Sequence, residues 1–105
     1  MNQLAPLPSP ALQLPALVAA ADAKARTRFL EFFAAYIRNP NTRRAYGRAV
    51  REFFAWCESA GVETLAAIAP MHVAAFIEAQ TKRPDLATPS VKQQLAAIRH
   101  LFDCL

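Results

Sequence analysis

Residues 40–61 read PNTRRAYGRAVREFFAWCESAG, and the spacing of their apolar members decides the fold. Tyr46, Ala49, Val50, Phe53, Trp56, Cys57 and Ala60 recur every three or four positions, the period of one face of an α-helix. A strand of this length would alternate every second residue, and no such alternation occurs. Asn41 or Thr42 offers a side-chain oxygen to cap the start of the helix. Gly61 can adopt the left-handed conformation that ends it. Opposite the apolar stripe, Arg44, Arg48 and Arg51 are four and three residues apart and share a second face, with Arg43 beside them.

Three further helical patterns surround this one. Upstream, residues 19–37 place Ala25, Phe29, Phe32, Phe33 and Tyr36 at helical spacings, and Arg38-Asn39-Pro40 stops the pattern because the residue before a proline is pushed out of the helical region. Before that, Pro6, Pro8, Pro10 and Pro15 punctuate residues 1–17, which read as a disordered, polyproline-like leader. Downstream, Leu65 and Ile68 read as loop residues anchoring the base of a bundle. Pro70 suits the first position of a third helix, where its missing N–H costs nothing, and Val73, Phe76, Ile77 and Gln80 then share a side. Residues 81–89, with Pro84 and Pro89, read as an exposed connection. Ser90 is expected to cap a fourth helix, whose seam is Val91, Leu95, Ile98, Phe102 and Leu105. No strand pattern and no internal repeat is present. The fold class expected is all-α: a four-helix domain over residues 18–105 with a proline-rich tail.

Composition narrows the function classes. A chain of 105 residues has room for one domain. Two cysteines, Cys57 and Cys104, are too few for a disulfide framework, so a reducing cytoplasm is the expected setting. No apolar run reaches the roughly 20 residues that span a bilayer, and the N-terminus lacks the basic start and apolar stretch of a signal peptide. Neither Gly47 nor Gly61 lies in a glycine-rich phosphate loop. His72 and His100 are isolated and show no metal-ligand spacing, so no metal or cofactor is expected.

The net charge of +4 is unevenly spread. Arg38, Arg43, Arg44, Arg48 and Arg51 lie within 14 residues that contain no acid, a local charge of +5, while residues 52–89 carry −3. Nine of the twelve basic residues are arginine, whose planar fork suits phosphates and base edges. Thr42 stands at a helix start where backbone N–H groups are expected to be free for an anion. On the fourth helix, Lys92, Gln93, Ala96, Ala97, Arg99 and His100 fall opposite the seam. Gln and Arg are side chains that read adenine and guanine edges in a major groove. Both faces also read as ordinary solvated surface; the absence of compensating acids weakens that reading more for the second helix than for the fourth.

Asn41-Thr42-Arg43-Arg44-Ala45-Tyr46, followed by Phe53-Phe54-Ala55-Trp56-Cys57 and Gly61, resembles the second helix of the N-terminal core-binding (SAM-like) domain of tyrosine recombinases, the phage integrase and Xer-type enzymes. Leu65 to Val73 with Phe76-Ile77 resembles the third-helix region of that domain, and Ser90 to Phe102 its fourth helix. Each motif alone is degenerate; their order over residues 22–105 is more specific. The resemblance implies a four-helix module forming half of a C-shaped clamp on duplex DNA, with the second and fourth helices at the major groove. Carried over by position, the DNA-binding residues are Thr42, Arg43, Arg44 and Arg48, with Ser90, Lys92, Gln93 and Arg99; Arg51 joins them by its place on the arginine face. The first helix is implied to help recombinase protomers contact one another on DNA. Tyr46, Trp56 and Phe102 are assigned to the core.

The family's chemistry belongs to a second domain, where a tyrosine attacks a phosphodiester with help from arginines, a lysine and histidines. Here Tyr36 and Tyr46 both fall on apolar helix faces and no His-x-x-Arg occurs, so this chain is expected to bind DNA and cleave nothing. Leu105 lies in the apolar seam with no polar tail after it, which reads as a chain cut from a longer protein. The other reading is a helical interaction or oligomerisation module, using the aromatic first helix or the proline-rich leader.

Overall fold

The computed structural model describes residues 14–105, and every regular element among them is helical. The prolines at positions 6, 8 and 10, and the tail expected over them, lie outside the described residues. Five α-helices follow in order: α1 (Ala16–Ala19), α2 (Ala23–Glu31), α3 (Pro40–Ser59), α4 (Pro70–Thr81) and α5 (Thr88–Cys104). The all-α reading is borne out. Several boundaries differ, each for a local reason.

The end of the expected leader belongs to the folded body. Pro15 is extended and leads directly into α1, whose Leu17 and Val18 are buried, and Leu14 packs against the same core. The single first helix expected over residues 19–37 is interrupted. Asp22 is extended and its Oδ1 accepts from the Ala25 N–H at 2.8 Å, which starts α2 afresh. A carboxylate there also meets the positive end of the helix dipole.

After α2 the chain widens into a π-helical turn (Phe32–Tyr36), in which the Ile37 N–H donates to the Phe32 carbonyl at 3.2 Å. A π turn accommodates one more residue than an α turn, shifting all that follows. Phe29, Phe32 and Phe33 stay inside, Ile37 takes the next inward place, and Tyr36 is turned out to 68% exposure. The expected place of Tyr36 on an apolar face is therefore corrected.

α3 starts earlier than the cap expected at Asn41 or Thr42. Asn39 is the cap: its Oδ1 accepts from Asn41 N at 2.8 Å and Thr42 N at 3.2 Å, and Pro40 occupies the first helical position. The proline that ends one segment thus opens the next. Ala49, Val50, Phe53 and Cys57 are buried as the stripe requires; Gly47 and Phe54 join them and broaden it, while Ala60, expected on the stripe, is exposed because it is the cap where the helix ends. Tyr46 and Trp56 are half-buried against the core. Gly61 has φ +91°, with open space where a Cβ would stand, so a side chain there is opposed by backbone strain alone.

Leu65 and Ile68 flank a short 3-10 turn (Leu65–Ala67) and pack on the core, as expected of anchors. Pro70 opens α4, where His72 Nδ1 accepts from Ala69 N at 2.8 Å. α5 begins at Thr88 with Pro89 in its first turn, so Ser90 is an exposed first-turn residue and does not cap the helix.

The face that α5 buries is also rotated from the expected seam. Val91 and Ile98 are inside as read, but their companions are Gln94, Ala97 and Leu101, while Leu95, Phe102 and Leu105 are half-buried. Ala97, placed opposite the seam by its spacing, is fully buried. The cause is polar: Gln94 finds partners inside. Its Nε2 donates to Glu52 Oε1 on α3, and its Oε1 accepts from Gln80 Nε2 on α4, each at 3.2 Å.

Aromatic rings unite the bundle. Phe53 lies 5.4 Å from Phe76 and 6.2 Å from Phe102, linking α3 to α4 and α5, while Phe54 meets Phe29 of α2 at 6.5 Å. Cys57 lies among them, and burial, aided by the Glu58 charge, raises its thiol pKa to about 11. A thiol so placed is a small core residue rather than a nucleophile.

Candidate nucleic-acid interface

The four arginines of α3 divide into two pairs. Arg44 and Arg48 are exposed. Arg44 Nη2 reaches Asn41 Oδ1 at 2.5 Å, and among the described residues neither arginine has an acidic partner. That sets them apart from Lys82, 3.5 Å from Glu78, and from Arg83, whose fork closes on Asp85 at 2.6 Å and holds that carboxyl below its usual range.

Arg43 and Arg51 are half-buried and turned toward the protein. Arg43 donates to the Ile37 carbonyl from Nε at 3.2 Å and from Nη2 at 2.8 Å, clasping the chain where it leaves the π turn. Arg51 Nη1 is buried and has no hydrogen-bond partner among the described residues. At 100° per residue, Arg44 and Arg48 straddle the middle of the exposed face and Arg51 falls on its shoulder, next to buried Gly47 and Phe54.

The start of α3 also differs from expectation. Thr42 is half-buried and its N–H is taken by Asn39 Oδ1, as is that of Asn41. The first-turn donors expected to be free for an anion are satisfied internally. Positive potential here comes from side chains. At α5 the cap position is Ala87, which has no side-chain oxygen; its carbonyl accepts from Ser90 N at 3.0 Å and Val91 N at 3.2 Å, and Pro89 has no N–H to satisfy.

On α5, Lys92, Gln93, Arg99 and His100 are exposed, with Asp103 on the same face. The His100 ring lies 6.0 Å from the Tyr46 ring, joining the start of α3 to the end of α5. The Glu52–Gln94 bond joins the middle of α3 to the early turns of α5. The two helices therefore run in opposite senses. Thr42 and Arg44 lie toward one end of the pair, while Ser90, Lys92 and Gln93 lie toward the other. Arg99 sits on the edge facing α4, where it lines a groove of about 620 Å³ with Leu95, Phe102, Val73 and Ile77. The residues singled out by spacing thus do not form one cluster: they divide between the two ends of the α3–α5 pair, with Arg99 toward α4.

Sequence reasoning missed Asn39 and the Glu52–Gln94–Gln80 chain. The first carried a usable signal, since Asn followed by Pro fits a cap and a first helical position. The second carried none, because its three members come from three helices. Among the described residues no three His, Cys, Asp or Glu side chains are grouped to hold a metal, and no helix is long and apolar enough to cross a membrane.

In comparison with known families, the model of the phage integrase N-terminal SAM-like domain matches residues 27–105. No match was found among curated proteins or solved structures.

Proposed function

The chain belongs to the phage integrase N-terminal SAM-like domain family, and from that premise we propose that it is the DNA-gripping, non-catalytic module of a site-specific tyrosine recombinase. The observation that carries the reading is the pair Arg44 and Arg48, exposed on α3 without an acid to neutralise them. An arginine pair of this kind on a rigid helix with a packed back is suited to duplex phosphates, which fix position without reading sequence. The α5 face supplies the complementary element: Lys92 and Arg99 for phosphates, Gln93 for a base edge, and Ser90 in the first turn. Arg43 and Arg51 act through the fold, and Thr42 through its place at the helix start. Strand cleavage is the work of a separate catalytic domain, and the working site is DNA inside the cell.

The test is duplex binding by fluorescence anisotropy across a salt series. If Arg44 and Arg48 each neutralise a phosphate, the double change Arg44→Ala/Arg48→Ala flattens the slope of log affinity against log salt by about 1.8. Binding with an unchanged slope removes α3 from the interface.

A second role is favoured by the exposed Tyr36 and Leu30, 68% and 38% exposed, on the α2 and π-turn side. These suit contact with another recombinase protomer. Sedimentation of the protein on a two-site duplex, with and without Tyr36→Ala, tests that contact.

A further inference from the structure

We propose that Gln94, held between Glu52 and Gln80, is a positioning residue that sets the rotation of α5 and so selects which of its side chains stand beside α3. Its consequence for DNA rests on the interface proposed above; its consequence for the fold does not.

α5 carries two overlapping apolar arcs. One is Val91, Leu95, Ile98 and Phe102; the other, the buried one, is Val91, Ala97, Ile98 and Leu101 with Gln94 at its centre. At 100° per residue their centres differ by roughly 60°. Side-chain hydrophobicity alone favours turning Leu95 and Phe102 inward, yet both stay half-buried along the groove against α4. What opposes the turn is the hydrogen-bonded chain from α3 through α5 to α4. Breaking it would leave the buried Gln80 amide without its partner, and an unmade buried hydrogen bond costs more than a made one contributes. A polar residue inside an apolar contact fixes register in this way.

The two rotations present different surfaces. In the observed one, His100 meets Tyr46, while Lys92 and Arg99 remain exposed. Turning α5 by about 60° on the same wheel carries Lys92 and Arg99 into the places now held by Leu95 and Phe102, and moves His100 away from Tyr46. Gln94 thus controls two cations and the α3–α5 ring contact without being exposed itself.

The experiment compares the wild-type chain with Gln94→Leu and with Glu52→Gln, which keeps the acceptor oxygen. Gln94→Leu is expected to retain a cooperative thermal melt, to lose the nuclear Overhauser contact between the Tyr46 and His100 rings, and to bind duplex DNA with a salt slope flattened by up to about 1.8, the share of Lys92 and Arg99. Glu52→Gln is expected to keep the ring contact. An undiminished ring contact in a folded Gln94→Leu protein overturns the inference. The wild-type protein gives a reading that needs no variant: the side-chain amide protons of Gln94 and Gln80 should exchange with solvent more slowly than those of exposed Gln93, and equal rates overturn the proposal. If wild type fails to bind duplex at any salt, the DNA reading falls while the ring contact and amide exchange still decide the role of Gln94.

Discussion

α3 and α5 lie against one another and each turns a polar face outward, but they are built differently. α3 is closed at its start by Asn39, carries Arg44 and Arg48 outward, and uses Arg43 to hold the preceding turn. α5 starts on an alanine, mixes Lys92, Gln93, Arg99 and His100 with Asp103, and places its best-bonded polar side chain, Gln94, inside. On the proposed reading the difference suits two tasks: the Arg44 and Arg48 pair would supply attraction that does not depend on sequence, and the varied side chains of α5, Gln93 among them, would supply discrimination.

The first way to break this comparison is at Arg43 and Arg44, adjacent in sequence and opposite in use. Arg43→Ala removes the charge-assisted bonds to the Ile37 carbonyl and is expected to cost about 1.5–3 kcal/mol in urea denaturation. Arg44→Ala is expected to stay within about 0.5 kcal/mol of wild type, its effect appearing only with DNA. Equal losses of stability would erase the division between inward and outward arginines.

A smaller effect is expected at the two helix starts. Asn39→Ala should destabilise by about 1 kcal/mol, whereas Ala87→Ser should gain well under that amount, because Pro89 has no N–H and the Ser90 N–H already bonds the Ala87 carbonyl. Thermal melts check both. A gain from Ala87→Ser as large as the Asn39→Ala loss would mean that the α5 start is not already satisfied.

The smallest effect near neutrality concerns the two thiols, one on each helix. Cys57 is buried in α3 and its pKa is raised from 9.0 to about 11, whereas Cys104 is only half-buried at the end of α5. A disulfide reagent at pH 8 should modify Cys104 promptly and Cys57 only as fast as the protein opens. Because the folded thiol has the higher pKa, its contribution to stability is complete below pH 9 and is lost as pH rises through about 11. Prompt labelling of both thiols in the folded protein would contradict the burial of Cys57.

The same pair shows what can be read from sequence. The α3 stripe, its glycine terminator and the opening proline of α4 are local, one-period signals, and their residues sit where spacing puts them except at the end of the stripe, where Ala60 is exposed. The exposed arginines were legible as a group, but their division was not, because it depends on a carbonyl released by the π turn six residues before Arg43. α5 was misread by roughly 60° since periodicity counts Gln94 as polar and therefore outward. Only the tertiary partners Glu52 and Gln80 make it an inward residue. Helix existence followed from one chain segment at a time; rotation required three.

The π turn at Phe32–Tyr36 gives the chain one residue of slack just before the α3 arginines. Deleting Ala34 would let the segment tighten into an ordinary α turn, with Ile37 then three residues after Phe33 and still inward, and Tyr36 still turned out. Protein length can therefore change here by a single codon while α3 keeps its own capped start. The junction takes up one residue between α2 and the charged helix that follows, while Arg43 keeps the two tied at the Ile37 carbonyl.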